Sequence, residues 1–509
     1  MKSFRKVLIA NRGEIAVRIQ RACREMGITT VAVYSEADRN ARHVRLSDEA
    51  YLIGPAAVEQ SYLSGDRIVE VAVTSGADAV HPGYGLLSEN AAFARQVAAA
   101  GLTFIGPPAD AIEAMGDKAA ARRQMQAAGV PVIPGYQDGL EQDRELRQAA
   151  ERVGYPLLIK AAAGGGGKGM RVVQSPEELI ELAGAARREA RHAFGDDKLI
   201  FERYIAHAHH IEMQIFGDHS GKVLHLFERE CSVQRRYQKI IEESPSPQLD
   251  EMLRTAMGSA AIQAAREVGY TNAGTVEFIF DPVTRDFYFL EMNTRLQVEH
   301  PVTELVTGID LVKWQLRVAA GELLPWEQRE IQCRGHALEC RLYAEDPGYR
   351  FLPASGTVLR FSEPQGPGVR VDAGITSGDE ISVHYDPLIA KIIAYGENRT
   401  AAIQKMQTAL DETVLLGLTS NIQFLQDVLA HPDFIRARVD TTWVEQNFMD
   451  WQQPECGIEP EILVAAAFSE LYADNPMADQ SSVVVDPYSP WQRSDGFRPG
   501  TGQDWEAGE

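Results

Sequence analysis

The stretch Glu291-Met-Asn-Thr-Arg-Leu-Gln-Val-Glu299 sets polar side chains at every second position: Glu291, Asn293, Arg295, Gln297 and Glu299. In a strand these share one face, which then carries two carboxylates, two amides and a guanidinium, while Met292, Leu296 and Val298 take the other. Fully extended, the row runs about 26 Å, too long to converge on one small substrate. The expectation is therefore strand to about Asn293 and a folded loop beyond. Upstream, residues 275–280 and 287–292 read as buried strands around the turn-rich 281–286. A hairpin centred near Thr284 sets Glu277 roughly opposite Glu291, with a bulge able to shift the pairing by one residue. Carboxylates that face each other across a ladder repel. A divalent cation removes that cost, and carboxylates with an amide oxygen suit Mg²⁺ or Mn²⁺. Glu277, Glu291 and Asn293 are the candidate ligands. The plainer alternative turns both acids to solvent or to arginines.

A second chemistry belongs to the glycine run. Tyr155-Pro-Leu-Leu-Ile-Lys160 reads as a buried strand ending in Lys160, followed by Gly164-Gly-Gly-Gly-Lys168-Gly169 and a second strand-like run at 170–173. Gly164, Gly166 and Gly169 fit G-x-G-x-x-G, a match that comes easily in any glycine run. No Ser or Thr follows Lys168, and the glycines join two strands instead of opening a helix, so this is not a P-loop. A glycine hairpin can lie over nucleotide phosphates with its N–H groups unhindered, Lys168 adding charge. The alternative is a flexible linker; flanking strands and two lysines favour a phosphate lid, with Gly166 and Gly167 as contacts. Lys118 by itself reads as a solvated charge. His207, His209 and His210 lack a carboxylate or cysteine at ligand spacing and read as surface, not as a metal site.

These residues need a scaffold. Residues 6–11 read as a strand, 14–26 as an amphipathic helix with Ile15, Ile19, Ala22 and Met26 on one face, and 29–34 as the next strand. Alternation continues through helix 68–74, a strand end at Ala79-Val80, helix 89–100 with Ser88 as N-cap, and strand 103–105. The implied fold class is α/β with a parallel sheet at the N-terminus. His81-Pro-Gly-Tyr-Gly-Leu-Leu-Ser-Glu-Asn90 sits just past a strand end, where open α/β sheets place ligands.

Size and charge exclude several classes. At 509 residues, several cores and two to four domains are expected. With 72 acidic against 50 basic residues the net charge is −22, which disfavours nucleic acid and anionic membrane. The five cysteines show no C-x-x-C spacing and read as reduced core residues of a cytoplasmic protein. The N-terminal apolar run 7–10 is too short for a signal peptide, and no segment has transmembrane length.

Glu291-Met-Asn-Thr-Arg-Leu-Gln-Val-Glu-His-Pro-Val-Thr-Glu304 resembles the signature of biotin carboxylases, within the ATP-grasp ligases. The resemblance covers residues 4 to about 447. It includes the H-P-G-Y-G segment, with Tyr84 near the biotin ring, and 198–205, where Glu202 meets the adenine. In this alignment His210 is a nucleotide contact. Glu230-Cys-Ser-Val-Gln234-Arg-Arg-Tyr237-Gln-Lys239-Ile-Ile-Glu-Glu243 matches a further segment, and Arg341 matches the arginine that holds the biotin enolate. Tyr237 stands where the family has His and stays neutral near pH 7, so one nucleotide contact changes character. Tyr343 replaces an Asn, 351–356 departs from P-S-P-G, and Gly366-Pro-Gly-Val-Arg370 differs from the dimer-contact loop of the free-standing type.

The resemblance implies an N-terminal α/β domain at 1–117, an ATP-grasp domain at 118–335 with a lid near 132–204 and a β-rich domain at 336–447; composition alone gives a helical piece and a flexible acidic tail at 448–509. It implies that ATP, bicarbonate and carrier-bound biotin give carboxybiotin, ADP and phosphate. Lys118, Lys160, Gly166, Gly167, Glu202, His210, Gln234, Glu277 and Glu291 would bind ATP. Glu277, Glu291 and Asn293 would hold one or two Mg²⁺ or Mn²⁺. Glu299 would act as base, Arg295 and Lys239 would position anions, Arg341 would face the enolate, and Tyr84, Gln297 and Val298 would complete the biotin and bicarbonate site. No A-M-K-M-like tetrapeptide occurs, so the biotin carboxyl carrier and the carboxyltransferase are expected on separate chains; free-standing members of the family form homodimers, which makes a homodimer the candidate assembly. Two other readings compete: a carboxylate–amine ligase of the same fold, and a non-catalytic nucleotide-binding scaffold. The tail reads by default as disordered, with docking through its aromatics as the alternative.

Overall fold

A computed structural model describes residues 3–136, 142–161, 170–194, 197–236, 238–454 and 460–473. The chain forms two compact units, Met1–Gln453 and Pro454–Glu509. In the first, β1 (Lys6–Ile9), β2 (Thr29–Ser35), β3 (Glu49–Gly54), β4 (Ala79–His81) and β5 (Thr103–Phe104) form a parallel sheet in the order β3-β2-β1-β4-β5. After Lys6, strand β1 is apolar because both its faces are covered: Val7 and Ile9 join one core, Leu8 another. The helix Gly13–Glu25 packs Ile15, Ile19 and Ala22 into the first of these, the face its spacing predicts.

The cap of the helix Ala91–Ala99 differs from expectation. Asn90, not Ser88, occupies the N-cap, its side chain accepting from the Phe93 N–H at 2.9 Å. Ser88 donates to the Gly85 carbonyl at 2.7 Å instead. Gly83 and Gly85 both take positive φ, so the chain is still turning where the helix was expected to begin.

The strands Gly135–Tyr136, Leu199–Arg203, Leu157–Ala161 and Arg171–Val173 form a small antiparallel sheet in that order. Leu157 pairs with Val173, so the strands that flank the glycine run are direct partners, as expected. Helices Asp143–Val153 and Leu179–Phe194 cover this sheet with Leu146, Ala149, Leu179 and Ala183. Gly164, Gly166, Gly167 and Lys168 lie outside the described residues.

An eight-stranded antiparallel sheet carries most of the chemistry. Its order is Phe287–Asn293, Asn272–Phe280, His209–Gly217, Val223–Arg235, Gln238–Ser244, His336–Tyr343, Leu388–Gly396 and Val369–Ala373. The last three strands come from the third sequence segment and pair directly onto the second, Ile241 opposite Cys340. One face there packs Leu338, Cys340 and Ile392 against Ile403 and Met406 of the helix Arg399–Glu412. On the other, Ala337 and Ile393 meet Val302 and Val306 of the helix His300–Thr307. Burial on both faces explains why these strands do not alternate simply between polar and apolar.

In the second unit the described residues form the helix Pro460–Ala473, with Ile462, Leu463 and Val464 exposed. The tail aromatics and Cys456 lie outside the described residues. Cys23, Cys231, Cys333 and Cys340 are free thiols. No described helix is long and apolar enough to cross a membrane.

Candidate active site

The strand Phe287–Asn293 ends at Asn293, where the row of polar residues needs to fold, and Glu277 stands opposite Glu291 with a bulge just after Glu277. On its other side Glu277 faces Glu212, and Glu212 faces Arg229. Three glutamates thus lie abreast across three strands, an arrangement that repels itself without cations. Arg229, fully buried, answers Glu212 and also donates to Gln214 and Thr303, both at 2.8 Å.

Lys239 answers the rest. Its Nζ donates to Glu212 Oε2 at 2.7 Å, Glu277 Oε1 at 2.8 Å and Glu299 Oε1 at 2.8 Å. An ammonium has three protons, and all three go to carboxylates. Glu277 Oε1 also accepts from Asn293 at 2.9 Å and Gln297 at 3.1 Å, and its Oε2 meets His210 Nε2 at 2.9 Å. Burial pushes the Glu277 carboxyl up, but Lys239 and His210 outweigh it and hold it well below the usual carboxylate range.

Glu299 lies at the N-cap position of the helix His300–Thr307, yet its side chain does not cap. Its Oε2 instead takes the Arg341 Nη2 at 3.0 Å. Burial raises this carboxyl, while Lys239, Arg341 and Arg229 hold it well below its ordinary value. Arg341 also grips Glu242, Nε to Oε1 at 2.6 Å. Burial drives the Glu242 carboxyl up to about 7 against the pull of Arg341.

The loop after Asn293 is tied down by Arg295. Its guanidinium reaches Asn293 Oδ1 at 3.0 Å, Gln297 Oε1 at 2.9 Å and Glu89 Oε2 at 2.9 Å. Tyr84 is carried by a turn that Asn11 holds, its amide donating to the Pro82 and Tyr84 carbonyls at 2.7 Å each. The Tyr84 hydroxyl donates to Glu14, whose Oε1 lies 3.3 Å from Lys391 Nζ.

A cavity of about 1600 Å³ gathers nearly all the sequence-derived candidates: Lys118, Lys160, Glu202, His210, Gln234, Glu277, Glu291, Asn293, Arg295, Gln297, Val298, Arg341, Lys239 and Tyr84 line it. Glu299 sits beneath the lining with no exposed surface, sealed by Lys239 and Arg341. Lys118 pairs with Glu291 at 2.6 Å while its side chain stays exposed, so it is a solvated charge that is also paired. Glu202 takes Lys160 at 2.5 Å and Arg122 at 2.9 Å. Gly166, Gly167 and Tyr237 lie outside the described residues. The three histidines part ways: exposed His207 pairs with Asp440 at 2.7 Å, buried His209 with Glu230 at 3.3 Å, and only His210 enters the cavity. Neighbouring residues of a strand face opposite ways, so His209 and His210 cannot share a site.

Glu277, Glu291 and Asn293 are an oxygen-bearing set at the cavity wall, the donor type that Mg²⁺ and Mn²⁺ take. Of the three, half-buried Glu291 has the freest carboxylate, bound only by Lys118 among the ion pairs of the described residues. The residues fit the ion.

Sequence reasoning gave no role to Glu212, Arg229, Glu242, Glu89 or Lys391. Glu89 and Glu242 fall within the motifs at 81–90 and 230–243, and strand alternation from His210 was the available signal for Glu212; Glu242 lies an odd three residues from Lys239, so alternation does not point to it.

Comparison with known proteins agrees with this geometry. Residues 3–112 match the family profile of the biotin carboxylase N-terminal domain. Residues 117–327 match that of the carbamoyl-phosphate synthase L chain ATP-binding domain, and residues 339–446 that of the biotin carboxylase C-terminal domain. Biotin carboxylase 1 of Bacillus subtilis is 51% identical over 442 residues, 87% of this chain and 98% of that protein. The mitochondrial methylcrotonoyl-CoA carboxylase subunit alpha of Dictyostelium discoideum is 48% identical over 499 residues, 98% of this chain and 71% of that one. A solved structure of the biotin carboxylase domain dimer of Hydrogenobacter thermophilus 2-oxoglutarate carboxylase, in complex with MgADP, ADP and bicarbonate, superposes with a TM-score of 0.83 at 46% identity, covering 89% of this chain and all of that one. A chain that shares half its residues with a biotin carboxylase along nearly that protein's whole length, and keeps its acids and cations in one cavity, belongs to the biotin carboxylase family.

Proposed function

We propose that this protein carboxylates biotin on a carrier, using ATP and bicarbonate, the first half-reaction of a biotin-dependent carboxylase. The observation that carries the proposal is the position of Glu299. One buried carboxylate touches Lys239 at 2.8 Å and Arg341 at 3.0 Å, beneath a cavity of about 1600 Å³ whose lining includes Lys118, Lys160, Glu202, Glu277 and Glu291.

Lys118 and Lys160 neutralise the phosphates of ATP, and Glu202, His210 and Gln234 orient the nucleotide. Glu277, Glu291 and Asn293 hold Mg²⁺ or Mn²⁺, whose charge when bound stabilises the transferring phosphoryl group. Glu299, kept ionised by its cations, takes the proton of bicarbonate as a bicarbonate oxygen attacks the γ-phosphorus and ADP leaves with the bond electrons. The product, carboxyphosphate, breaks to CO₂ and phosphate, and that phosphate takes the N1 proton of biotin. Arg341 places a fixed charge where the biotin anion develops. Lys239 and Arg295 position the anions, and Tyr84, Gln297 and Val298 wall the biotin and bicarbonate site. N1 then adds to CO₂.

This reading calls for a biotin-bearing carrier and a carboxyltransferase as partners. The Dictyostelium relative is named as one subunit of a larger enzyme, and the Hydrogenobacter domain is a dimer, which supports a multisubunit assembly and a homodimeric enzyme. The test is ADP release from MgATP and bicarbonate by the purified protein, with and without free biotin. Stimulation by biotin is expected; ATP cleavage indifferent to both biotin and bicarbonate would overturn the assignment.

A further inference from the structure

Behind Arg341 the sheet places two glutamates beside one guanidinium. Glu242 stands directly opposite Glu339 across the strands Gln238–Ser244 and His336–Tyr343, and neither has any exposed surface. Glu242 spends Oε1 on Arg341, at 2.6 Å from Nε, while its Oε2 has no hydrogen-bond partner among the described residues. Neither carboxyl oxygen of Glu339 has one among the described residues either. Directly opposed residues bring their Cβ atoms to about 5 Å, so the bare oxygens are within reach of each other once the unanchored Glu339 carboxyl turns.

The nearby cations are already engaged. Arg341 serves Glu242 and Glu299, and Lys239 serves its three carboxylates. Lys391, opposite Arg341 on the next strand, donates to the Val298 carbonyl at 2.7 Å and pairs with Glu14. The helix His300–Thr307 contributes apolar Val302 and Val306. Two adjacent buried carboxyls with a single guanidinium cannot both ionise. Burial pushes Glu339 well above the usual range, Lys391 offsetting only part and Glu242 adding to the rise.

We propose that Glu339 is a positioning residue: as a neutral carboxylic acid it donates its O–H to Oε2 of Glu242 and holds Glu242 as the anion that aims Arg341 into the cavity. A carboxylate that accepts this bond neutralises Arg341 less completely, leaving more of the guanidinium charge for the biotin anion. The inference rests on reading Arg341 as the group that faces that anion.

The test uses the full chain with Glu339→Leu and Glu339→Gln. Glu339→Leu should lower kcat for biotin-stimulated ADP release about tenfold or more, with KM for MgATP within about twofold of wild type. Glu339→Gln, whose amide N–H replaces the donor, should restore kcat to within about threefold. Infrared spectra at pH 8 should show a neutral carboxylic-acid C=O band in wild type that Glu339→Gln lacks, a readout that stands even where Glu339→Leu fails to fold. Absence of that band, wild-type kcat in Glu339→Leu, or equal losses in both variants would overturn the proposal. A wild-type protein without biotin stimulation would overturn the reading of the site instead, leaving the infrared band as the test of Glu339.

Discussion

Arg341 Nη2 lies 3.0 Å from Glu299 Oε2, so the group read as base and the charge read as facing biotin neutralise each other at rest. A proton that arrives on Glu299 from bicarbonate removes the negative partner and leaves Arg341 with only Glu242. The contact therefore links the two halves of the proposed chemistry: the guanidinium gains electrostatic strength only after bicarbonate has been deprotonated.

Glu299→Gln keeps the shape and loses the base. Bicarbonate-dependent ADP release should fall by about 10² to 10⁴-fold. ADP affinity, read by calorimetry, should stay nearly unchanged, because Glu299 lies below the cavity lining. Lost nucleotide binding would reassign the residue.

Lys239→Met leaves Glu212, Glu277 and Glu299 without their shared ammonium. Breaking a buried ion pair costs about 3–5 kcal/mol. Urea unfolding should show a loss of at least that order. Unchanged stability would mean that the acids already carry protons.

Glu304 bridges Arg18 at 2.9 Å and Arg370 at 2.7 Å, all three largely buried. Glu304→Gln leaves Arg18 with Asp310 at 2.7 Å and Arg370 with Asp372 at 2.6 Å, so the loss is that of charge-assisted hydrogen bonds, about 1.5–3 kcal/mol at neutral pH. Burial raises the Glu304 carboxyl, but Arg18, His300 and Arg370 bring it down to about 2. A depressed folded value stabilises fully above the unfolded value of about 4.3, and the gain is lost as pH falls toward 2. The gap between wild type and Glu304→Gln in chemical unfolding should therefore shrink between pH 4 and pH 2. A gap that stays constant through that window would rule out ionised Glu304 as its source.

Glu291→Gln removes the freest carboxylate of the candidate metal set. Mn²⁺ affinity in the presence of ADP, followed by electron paramagnetic resonance, should weaken by about tenfold or more. Affinity equal to wild type would place the ion elsewhere.

The hairpin, its bulge and the end of the strand at Asn293 were legible in the amino-acid order, while the convergence of the lysine and carboxylate motifs was legible only through the family resemblance. Strand alternation is a local property with a period of two, and Glu277 and Glu291 are joined by a short turn. Glu242 facing Glu339, Lys391 facing Arg341 and Glu212 abreast of Glu277 were not legible. Those pairings depend on the lateral order of eight strands drawn from distant segments, and local periodicity carries no information about which strand lies beside which. The burial of Glu299 has the same origin. Its chemistry is written in its side chain, but its confinement between Lys239 and Arg341 arises only when the sheet closes around it.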